Sequence, residues 1–323
     1  MPLVGIASLA ASAPLLASKR AVTYQHLPTR RLINKCTSAR MPFDWTINPY
    51  RGCEFGCKYC YARYTHEFME LRDPESFETH IFAKQFQPAS IRSELASIPA
   101  SDHIAIGTAT DPFQPAERRF RLTRTVLEVL AQGHGRKFSI TTKSDLIAED
   151  AGLLAALAQR NIVHVNFTVT TMDAALARLI EPRAPRPDLR IHALAALARQ
   201  GISTGVFSSP ILPCINDSPS NLMAVAVAAR QAGAQYFGGG VVFLQPSASK
   251  VFLPFIEERF PALSQRYRQS FAQSAYLRGP YVELIRGRIR AIRDQLGLAS
   301  SPVDYQPDYQ EPQLSLFPEA PAR

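Results

Sequence analysis

The chain has few cysteines and lacks the long apolar runs of membrane proteins. Five unevenly placed cysteines in 323 residues do not make the disulfide framework of a small secreted protein. No uninterrupted apolar run approaches the ~20 residues of a membrane span. Pro2 and Pro14 interrupt the alanine-rich N-terminal stretch, and Lys19 and Arg20 follow it, whereas a signal peptide begins with its basic residues. We expect a cytoplasmic protein with a disordered or loosely docked N-terminal tail over residues 1–25.

Acidic residues are also in the minority. Asp and Glu number 27 against 36 Lys and Arg, which gives a net charge of +9. This balance favours an anionic partner, nucleic acid above all, although many basic proteins bind none. The segment 19–43 has no acidic residue, and its basic residues are Lys19, Arg20, Arg30, Arg31, Lys35 and Arg40. Their charges fit either a clamp on a phosphate backbone or a solvated arm on the folded domain.

Three of the cysteines form a compact C-x3-C-x2-C motif: Cys53, Cys57 and Cys60. A [4Fe–4S] cluster usually takes four thiolates, so three leave one iron open to a substrate or cofactor. A structural zinc ion needs four ligands, and the fourth would have to be Cys36, His66 or Cys214, none at a familiar spacing. Three packed cysteines without a metal are the remaining alternative. The spacing therefore favours an iron–sulfur cluster with an open iron.

The motif, with Tyr59 before its last cysteine, resembles that of radical S-adenosylmethionine (radical SAM) enzymes. The surrounding residues are similar to the branch related to spore photoproduct lyase, often labelled DNA repair photolyases. They are N-P-Y-R-G-C-E-F-G-C-K-Y-C-Y-A-R-Y-T-H-E at 48–67, G-T-A-T-D-P-F-Q-P at 107–115 and T-K-S at 142–144. The resemblance covers about residues 30–295. It implies an α/β fold, the partial (β/α)6 barrel, with a [4Fe–4S] cluster on the three cysteines and S-adenosylmethionine on the open iron.

The resemblance also implies a reaction. One electron from the reduced cluster cleaves S-adenosylmethionine and yields a 5′-deoxyadenosyl radical, which takes a hydrogen atom from the substrate. An electron donor such as flavodoxin or ferredoxin and a reducing, cytoplasmic compartment follow from this chemistry. Spore photoproduct lyase uses an additional cysteine as hydrogen donor between the cluster and the second strand end, but residues 61–213 contain none. Cys214 is a candidate for that role, an incidental thiol is the alternative, and true spore photoproduct reversal is not expected.

From residue 44 the sequence alternates short apolar runs with helical patterns, and its 46% hydrophobic residues are enough for one large core. The predicted strands are 44–48, 103–109, 138–142, 163–170, 203–208 and 235–243. The predicted helices are 59–70, 88–96, 123–132, 148–160, 187–200 and 219–232. Alternation of this kind predicts parallel strands with crossover helices over a domain at 26–245. Periodicity alone does not separate a partial barrel from a doubly wound sheet.

Polar residues follow three of these strands, at the ends where sites in barrels gather. They are Gly107, Thr108, Thr110 and Asp111 after the second strand, Lys143 and Ser144 after the third, and Thr170 and Thr171 after the fourth. Glycine permits close backbone approach, and the hydroxyls and carboxylate suit the amino group or ribose of S-adenosylmethionine. By the resemblance, Lys143 pairs with the methionine carboxylate and Tyr59 lies near the adenine. Ordinary strand-terminating turns are the alternative at each position.

Residues 246–298 read as a helical, basic extension. Ile285, Ile289, Ile292 and Leu296 form an apolar stripe at helical spacing, and Arg286, Arg290 and Arg293 form a parallel basic stripe. The arginine stripe suits a nucleic-acid backbone, and a solvated helix face is the alternative.

Residues 299–323 are rich in proline and polar residues and are expected to be disordered. They contain the pentapeptide Gln313, Leu314, Ser315, Leu316 and Phe317, which resembles the motif that binds the bacterial DNA polymerase sliding clamp. Apolar residues in an otherwise polar tail suit a preformed hydrophobic pocket on a partner. Docking onto the chain's own domain and chance are the alternatives.

The sequence thus predicts a radical SAM enzyme that acts on nucleic acid, in the manner of DNA lesion repair. A radical SAM enzyme acting on a peptide or small metabolite is one alternative. A non-catalytic iron–sulfur adaptor for the clamp or DNA is the other.

Overall fold

The computed structural model of the chain describes residues 3–19 and 21–308. Its strands are β1 (Leu15–Lys19), β2 (Val22–Pro28), β3 (Ile33–Lys35), β4 (Trp45–Ile47), β5 (Tyr50–Arg51), β6 (His80–Gln85), β7 (His103–Ile106), β8 (Lys137–Thr142), β9 (Ile162–Thr168), β10 (Ser203–Ile211) and β11 (Tyr236–Val241). Its helices are α1 (Gly5–Ala11), α2 (Tyr64–Glu67), α3 (Ser76–Thr79), α4 (Pro88–Ala96), α5 (Glu117–Phe120), α6 (Leu122–Leu130), α7 (Ala151–Arg160), α8 (Ala174–Ile180), α9 (Pro187–Arg199), α10 (Pro219–Gln231), α11 (Pro246–Arg259), α12 (Pro261–Ser270) and α13 (Pro280–Leu296).

The larger sheet has the strand order β11-β10-β9-β8-β7-β4-β3. Six neighbouring strands of this sheet are parallel, namely β4, β7, β8, β9, β10 and β11. Strand β3 pairs antiparallel with β4 at the edge. Each of these parallel strands lies beside the next one in the chain, whereas a doubly wound sheet reverses its order at a switch point. The α/β fold with six parallel strands is therefore confirmed, and the strand order favours the partial barrel.

The core lies between this sheet and the crossover helices. Strands β8 and β9 are buried almost throughout, and the apolar faces of α6, α7, α9 and α10 pack into the same cluster. Proline at the first turn starts α4, α9 and α10, where its fixed φ suits the helix and its missing N–H costs nothing. Each fully buried aliphatic or Phe side chain contributes about 1.5–3 kcal/mol to this core.

The N-terminal residues are part of a second sheet, with the strand order β1-β2-β6-β5. Strand β2 pairs in parallel with β6, and its residues Val22, Tyr24 and Leu27 are buried. The structure therefore departs from the predicted disordered tail over residues 1–25, within the part of it that is described. The partner strand β6 begins more than fifty residues after β2 ends, so no local pattern indicates the pairing.

Most predicted helices are found within a few residues of their expected bounds, but the one at 59–70 is not. The chain there forms a 3₁₀ turn at Tyr61–Arg63 and only a single turn of α2. Arg63 donates to Pro74 O and pairs with Glu78 inside the protein, and Glu70 has a positive φ of 60°. These contacts turn the chain back on itself, and a longer helix would carry Arg63 away from its partners.

The C-terminal extension is helical, and it continues into a docked segment. Ile285, Ile289 and Ile292 of α13 are buried, which confirms the apolar stripe. Beyond α13, Ala299 pairs with Tyr236, and the next residues lie along the amino ends of β8 and β9. Residues 299–308, the strap, thus depart from the expected disorder, whereas the pentapeptide at 313–317 lies outside the described residues.

Polar contacts hold the strap in place. Asp304 accepts from Lys137 Nζ at 2.7 Å and lies 3.1 Å from His164 Nε2. Tyr305 donates its hydroxyl to the carbonyl of Asn161 and accepts from the amide of Val163. No helix in the described part of the chain is both long and apolar enough to cross a membrane.

Candidate active site

A cavity of about 390 Å³ opens at the carboxyl ends of strands β7 to β11. The structure brings together in its lining most of the side chains that the sequence singles out. These are Cys53, Cys57, Tyr59, Cys60, Gly107, Thr108, Thr110, Asp111 and Lys143. Sites in barrels form at this end of the sheet because the loops there are free to carry function.

The loop that carries the cysteines is held by backbone contacts. Gly52 has a φ of 80°, and a Cβ there would lie 2.8 Å from the carbonyl oxygens of Phe77 and His80. Cys53 N donates to Phe77 O at 2.9 Å, and Lys58 N donates to Ile180 O at 3.0 Å. The loop therefore needs glycine at its first turn, and its conformation is fixed before anything binds.

All three cysteines are free thiols, and Cys53 and Cys57 are buried. Burial raises the pKa of each thiol, that of Cys57 to about 12 and that of Cys53 with help from the nearby Asp111 carboxylate. Iron binding would deprotonate them. A cubane cluster takes each thiolate on a different iron, so its ligands need not converge on one ion. Among the described residues, no group of three His, Cys, Asp or Glu side chains converges on a single metal-ion position.

The other two cysteines lie elsewhere. Cys36 is beside the amino end of β4, where its amide donates to Asp44 O. Cys214 is exposed, its φ is 61°, and Arg266 Nη1 lies 3.1 Å from its sulfur. Neither lines the cavity, so the described lining holds three cysteines, as a cluster with an open iron requires. The geometry does not place Cys214 as a hydrogen donor to this cavity.

Asp111 joins two strand ends. Its carboxylate accepts from the Thr142 hydroxyl and the Lys143 amide, each at 2.7 Å, and from the Phe113 amide at 3.0 Å. Burial raises the pKa of Asp111 in spite of these donors. Gly107 makes the close approach possible, because a Cβ there would lie 2.7 Å from Thr141 O. Asp111 thus sets the position of the Lys143 backbone.

Thr110 braces the cysteine loop. Its hydroxyl donates to Gly52 O at 2.6 Å, and Gln114 Nε2 donates to the same oxygen at 3.0 Å. Sequence reasoning missed Asn48, whose Oδ1 accepts from Ala109 N at 2.8 Å and whose amide donates to Thr108 Oγ1 at 3.1 Å. The position of Asn48 shortly before the cysteine loop is the sequence signal that could have indicated a role for it at the site.

Lys143 is the one cationic side chain in the described lining of the cavity. Its Nζ lies 5.9 Å from the centre of the Tyr59 ring. Burial alone would lower the pKa of Lys143, but the Cys57 sulfur and the Glu181 carboxylate outweigh it, and the pKa is raised. Lys143 therefore stays charged and suits a ligand carboxylate.

Three of the predicted cofactor contacts do not line the cavity. Ser144 Oγ and Thr171 Oγ1 accept from backbone amides two residues further on, as in strand-terminating turns. Thr170 Oγ1 donates to Glu181. Strand β9 ends at Thr168, and this residue lines the cavity in their place.

A buried ionic network lies behind the cavity wall, and sequence reasoning missed it. Arg190 Nη2 lies 2.5 Å from Glu181 Oε2, with side chains 1% and 0% exposed. Tyr59 donates its hydroxyl to the same carboxylate. Burial would raise the pKa of Glu181, but Arg190 and Lys143 hold it below its usual range. The network keeps a negative charge behind Tyr59 and Lys143.

The predicted arginine stripe lies outside the cavity. Arg286 and Arg290 are exposed on α13 and Arg293 is half-buried, and Arg286 bonds to Glu283 at 2.5 Å. The stripe flanks the row of buried isoleucines that hold α13 against the domain, since each of its arginines directly follows one of them.

Comparison with known proteins gives matches at the level of family and fold. The protein-family model described as "Radical SAM superfamily" matches residues 47–224. The chain is 32% identical to the uncharacterized protein Rv2578c of Mycobacterium tuberculosis, covering 92% of this chain and 87% of that protein. It is 29% identical to the uncharacterized protein MJ0683 of Methanocaldococcus jannaschii, covering 67% of this chain and 76% of that protein.

Among solved structures, the chain resembles spore photoproduct lyase complexed with dinucleoside spore photoproduct. The TM-score is 0.64 at 15% identity, covering 84% of this chain and 79% of that chain. A variant of the same enzyme with bound AdoMet and dinucleoside spore photoproduct gives a TM-score of 0.59 at 14% identity, covering 83% and 78%. At such identities the likeness concerns the fold.

Proposed function

The chain belongs to the radical SAM superfamily, and on that premise we propose that it is an enzyme that cleaves S-adenosylmethionine at a [4Fe–4S] cluster and acts on nucleic acid. One observation carries the first part of the proposal. Within the described part of the chain, three free cysteines, one lysine and a set of strand-end hydroxyls line one cavity at the carboxyl ends of the strands.

The residues present fit the cluster and its cofactor. Cys53, Cys57 and Cys60 would hold the cluster, which together with S-adenosylmethionine supplies a 5′-deoxyadenosyl radical for hydrogen-atom abstraction. Lys143 would pair with the carboxylate of the methionine moiety, and the Thr108 hydroxyl offers a polar contact at the end of the neighbouring strand β7. Aromatic and aliphatic side chains make up much of the remaining lining and keep water away from a reactive species.

Charge supports nucleic acid as the substrate class. The net charge is +9, and basic residues concentrate in the segment 19–43 and on α13. Replacing Arg286, Arg290 and Arg293 together by Ala should weaken DNA binding and reduce its salt dependence. An unchanged salt dependence would remove α13 from the interface.

The direct test is anaerobic. Reconstituted protein, S-adenosylmethionine and dithionite are incubated with and without UV-irradiated DNA, and 5′-deoxyadenosine is quantified. Formation that rises with damaged DNA is the expected result. Formation indifferent to DNA would leave a radical SAM enzyme for a peptide or metabolite, and no formation from an intact cluster would favour a non-catalytic adaptor.

We also propose two protein partners. A small one-electron carrier such as flavodoxin or ferredoxin would reduce the cluster in the cytoplasm. The pentapeptide at 313–317 would bind the sliding clamp, with Leu316 and Phe317 in its hydrophobic pocket. The strap, with which the described part of the chain ends, lies along the amino ends of β8 and β9, opposite the cavity. If the sliding clamp still captured the double variant Leu316→Ala, Phe317→Ala, the proposed binding of the clamp by the pentapeptide would be wrong.

A further inference from the structure

A series of four planar groups runs from the cavity wall to the solvent. Tyr61 and Phe243 line the cavity, with ring centres 5.2 Å apart. Phe243 stacks on Tyr276 at 5.2 Å and an interplanar angle of 13°. The guanidinium of Arg40 lies over the Tyr276 ring, 5.0 Å from its centre. Because Phe243 stacks on one face of this ring, we assign Arg40 to the other, outer face. We call these four residues the mouth stack.

The mouth stack is held in place by backbone contacts from three parts of the chain. Phe243 and Tyr276 form an antiparallel bridge, and Leu244 N donates to Ala275 O at 2.9 Å. Tyr61 donates its hydroxyl to Thr108 O. The aromatic faces are therefore preorganised, whereas Arg40 is exposed and contributes a long side chain that can leave the ring.

We propose that the mouth stack is a binding subsite for an unpaired nucleotide, whose base lies on the outer face of Tyr276 and whose phosphate pairs with Arg40. A base that takes this face displaces the guanidinium from the ring, and the guanidinium stays within reach of the phosphate. Stacking of a base on an aromatic ring beside a cation is how proteins hold single strands. This inference rests on the proposed function, since it gives the nucleic acid a point of entry to the cavity.

The geometry favours an unpaired nucleotide over a duplex. Bases in a duplex cover each other's faces, so they cannot present a face to Tyr276, which is 38% exposed. Chemistry on a base inside the cavity also requires that the base leave its stack. Phe243 and Tyr61 would then continue the stacking surface from the mouth to the cavity.

The test measures binding by the reconstituted protein, with fluorescence anisotropy of a labelled oligothymidylate. Tyr276→Leu should weaken binding about tenfold, because it removes the ring face. Tyr276→Phe is the matched control and should bind like the wild type, since it keeps the ring. Arg40→Ala should weaken binding and lower the salt slope by about one, whereas Arg230→Ala, which removes an exposed arginine from α10, should not.

The outcomes separate this inference from the proposed function. An abasic strand should bind the wild type as weakly as the oligothymidylate binds Tyr276→Leu. If the wild type binds the oligothymidylate and Tyr276→Leu binds it equally well, the subsite is wrong and nucleic acid stands as the substrate class. If the wild type binds neither the strand nor its duplex, nucleic acid fails as the substrate and the subsite fails with it, while cleavage of S-adenosylmethionine is unaffected.

Discussion

The two ends of the barrel both contain buried polar side chains, yet they differ in what those side chains face. At the amino ends of the strands, His164 Nδ1 lies 3.0 Å from Ser203 Oγ and its Nε2 lies 3.1 Å from Asp304. Ser203 in turn donates to Gln235. These contacts link a serine, a histidine and an aspartate, but the Ser203 hydroxyl donates to Gln235 instead of to His164, and Ser203 is only 4% exposed. The group is therefore a structural network and not a hydrolytic site.

At the carboxyl ends, some polar groups bond to each other, as Asp111 and Thr142 do, but others face the cavity. Lys143 and the three cysteines line the cavity with few internal partners, and Glu181 and Asp111 hold their surroundings in place. Buried polarity alone therefore does not mark the site. The difference lies in whether the polar atoms are satisfied by the protein or left for a ligand.

The largest expected effect concerns the network behind the cavity wall. Arg190→Ala would remove the ion-pair partner of the buried Glu181 carboxylate and the bonds that Arg190 donates to Thr168 O and Pro185 O. We expect the free energy of unfolding to fall by about 3–5 kcal/mol, measured by urea denaturation. Arg72→Ala is the control, since its pair with Glu70 is exposed, and it should change little. Equal losses of unfolding free energy in the two variants would show that the buried ion pair contributes no more than the exposed one.

The second effect concerns ligand binding at the open end. Lys143→Ala should weaken the binding of S-adenosylmethionine to the reconstituted protein by about ten- to a hundredfold, the range for a hydrogen bond to a charged group. Lys143→Gln, which keeps a donor without the charge, should fall between the alanine variant and the wild type. Equilibrium dialysis measures both. Wild-type affinity in the alanine variant would mean that the carboxylate lies elsewhere.

A smaller effect is expected at the closed end. Asp304→Ala removes the acceptor of Lys137 and His164 and loosens the strap, which should lower the free energy of unfolding by about 1–3 kcal/mol. Binding of S-adenosylmethionine should not change, because the strap and the cavity are at opposite ends of the sheet. Hydrogen exchange at residues 299–308 should speed up locally. A loss of affinity for S-adenosylmethionine in this variant would contradict the prediction that the two ends of the barrel act independently.

The smallest effect is a pH dependence at the closed end. Burial lowers the pKa of His164 in the folded protein in spite of its bond to Asp304, so the unfolded chain takes up the proton first. The stability from neutral His164 is present above the unfolded pKa of about 6.5 and is lost as the pH falls through the folded value. His164→Gln should flatten the denaturation profile in that acidic range. If the stability of the variant depended on pH in the same way as that of the wild type, His164 would not be the source of this pH dependence.

The sequence predicted those parts of the molecule whose signals are local. The C-x3-C-x2-C spacing, the glycine and threonines that follow β7, and Lys143 after β8 all lie within a few residues of the elements that place them. The six parallel strands followed from apolar runs between helical patterns.

The sequence did not predict features that join distant segments. Tyr59 bonds to Glu181 across 122 residues, and Lys137 bonds to Asp304 across 167 residues. Strand β2 joins β6 in the same way, over an intervening stretch that carries the cysteine loop. Thr170 and Thr171 were misplaced for a local reason: β9 ends two residues earlier than its apolar run suggests, so the following threonines close the turn.

The most direct test of the central claim is electron paramagnetic resonance of the anaerobically reconstituted, reduced protein, with iron and sulfide quantified in parallel. We predict one [4Fe–4S] cluster per chain, with about four irons, whose spectrum changes when S-adenosylmethionine is added. Cys57→Ala should lose the cluster, and Cys214→Ala should keep it together with the spectral change. A cluster that survives Cys57→Ala, or a spectrum that S-adenosylmethionine leaves unchanged, would contradict an open iron in this cavity.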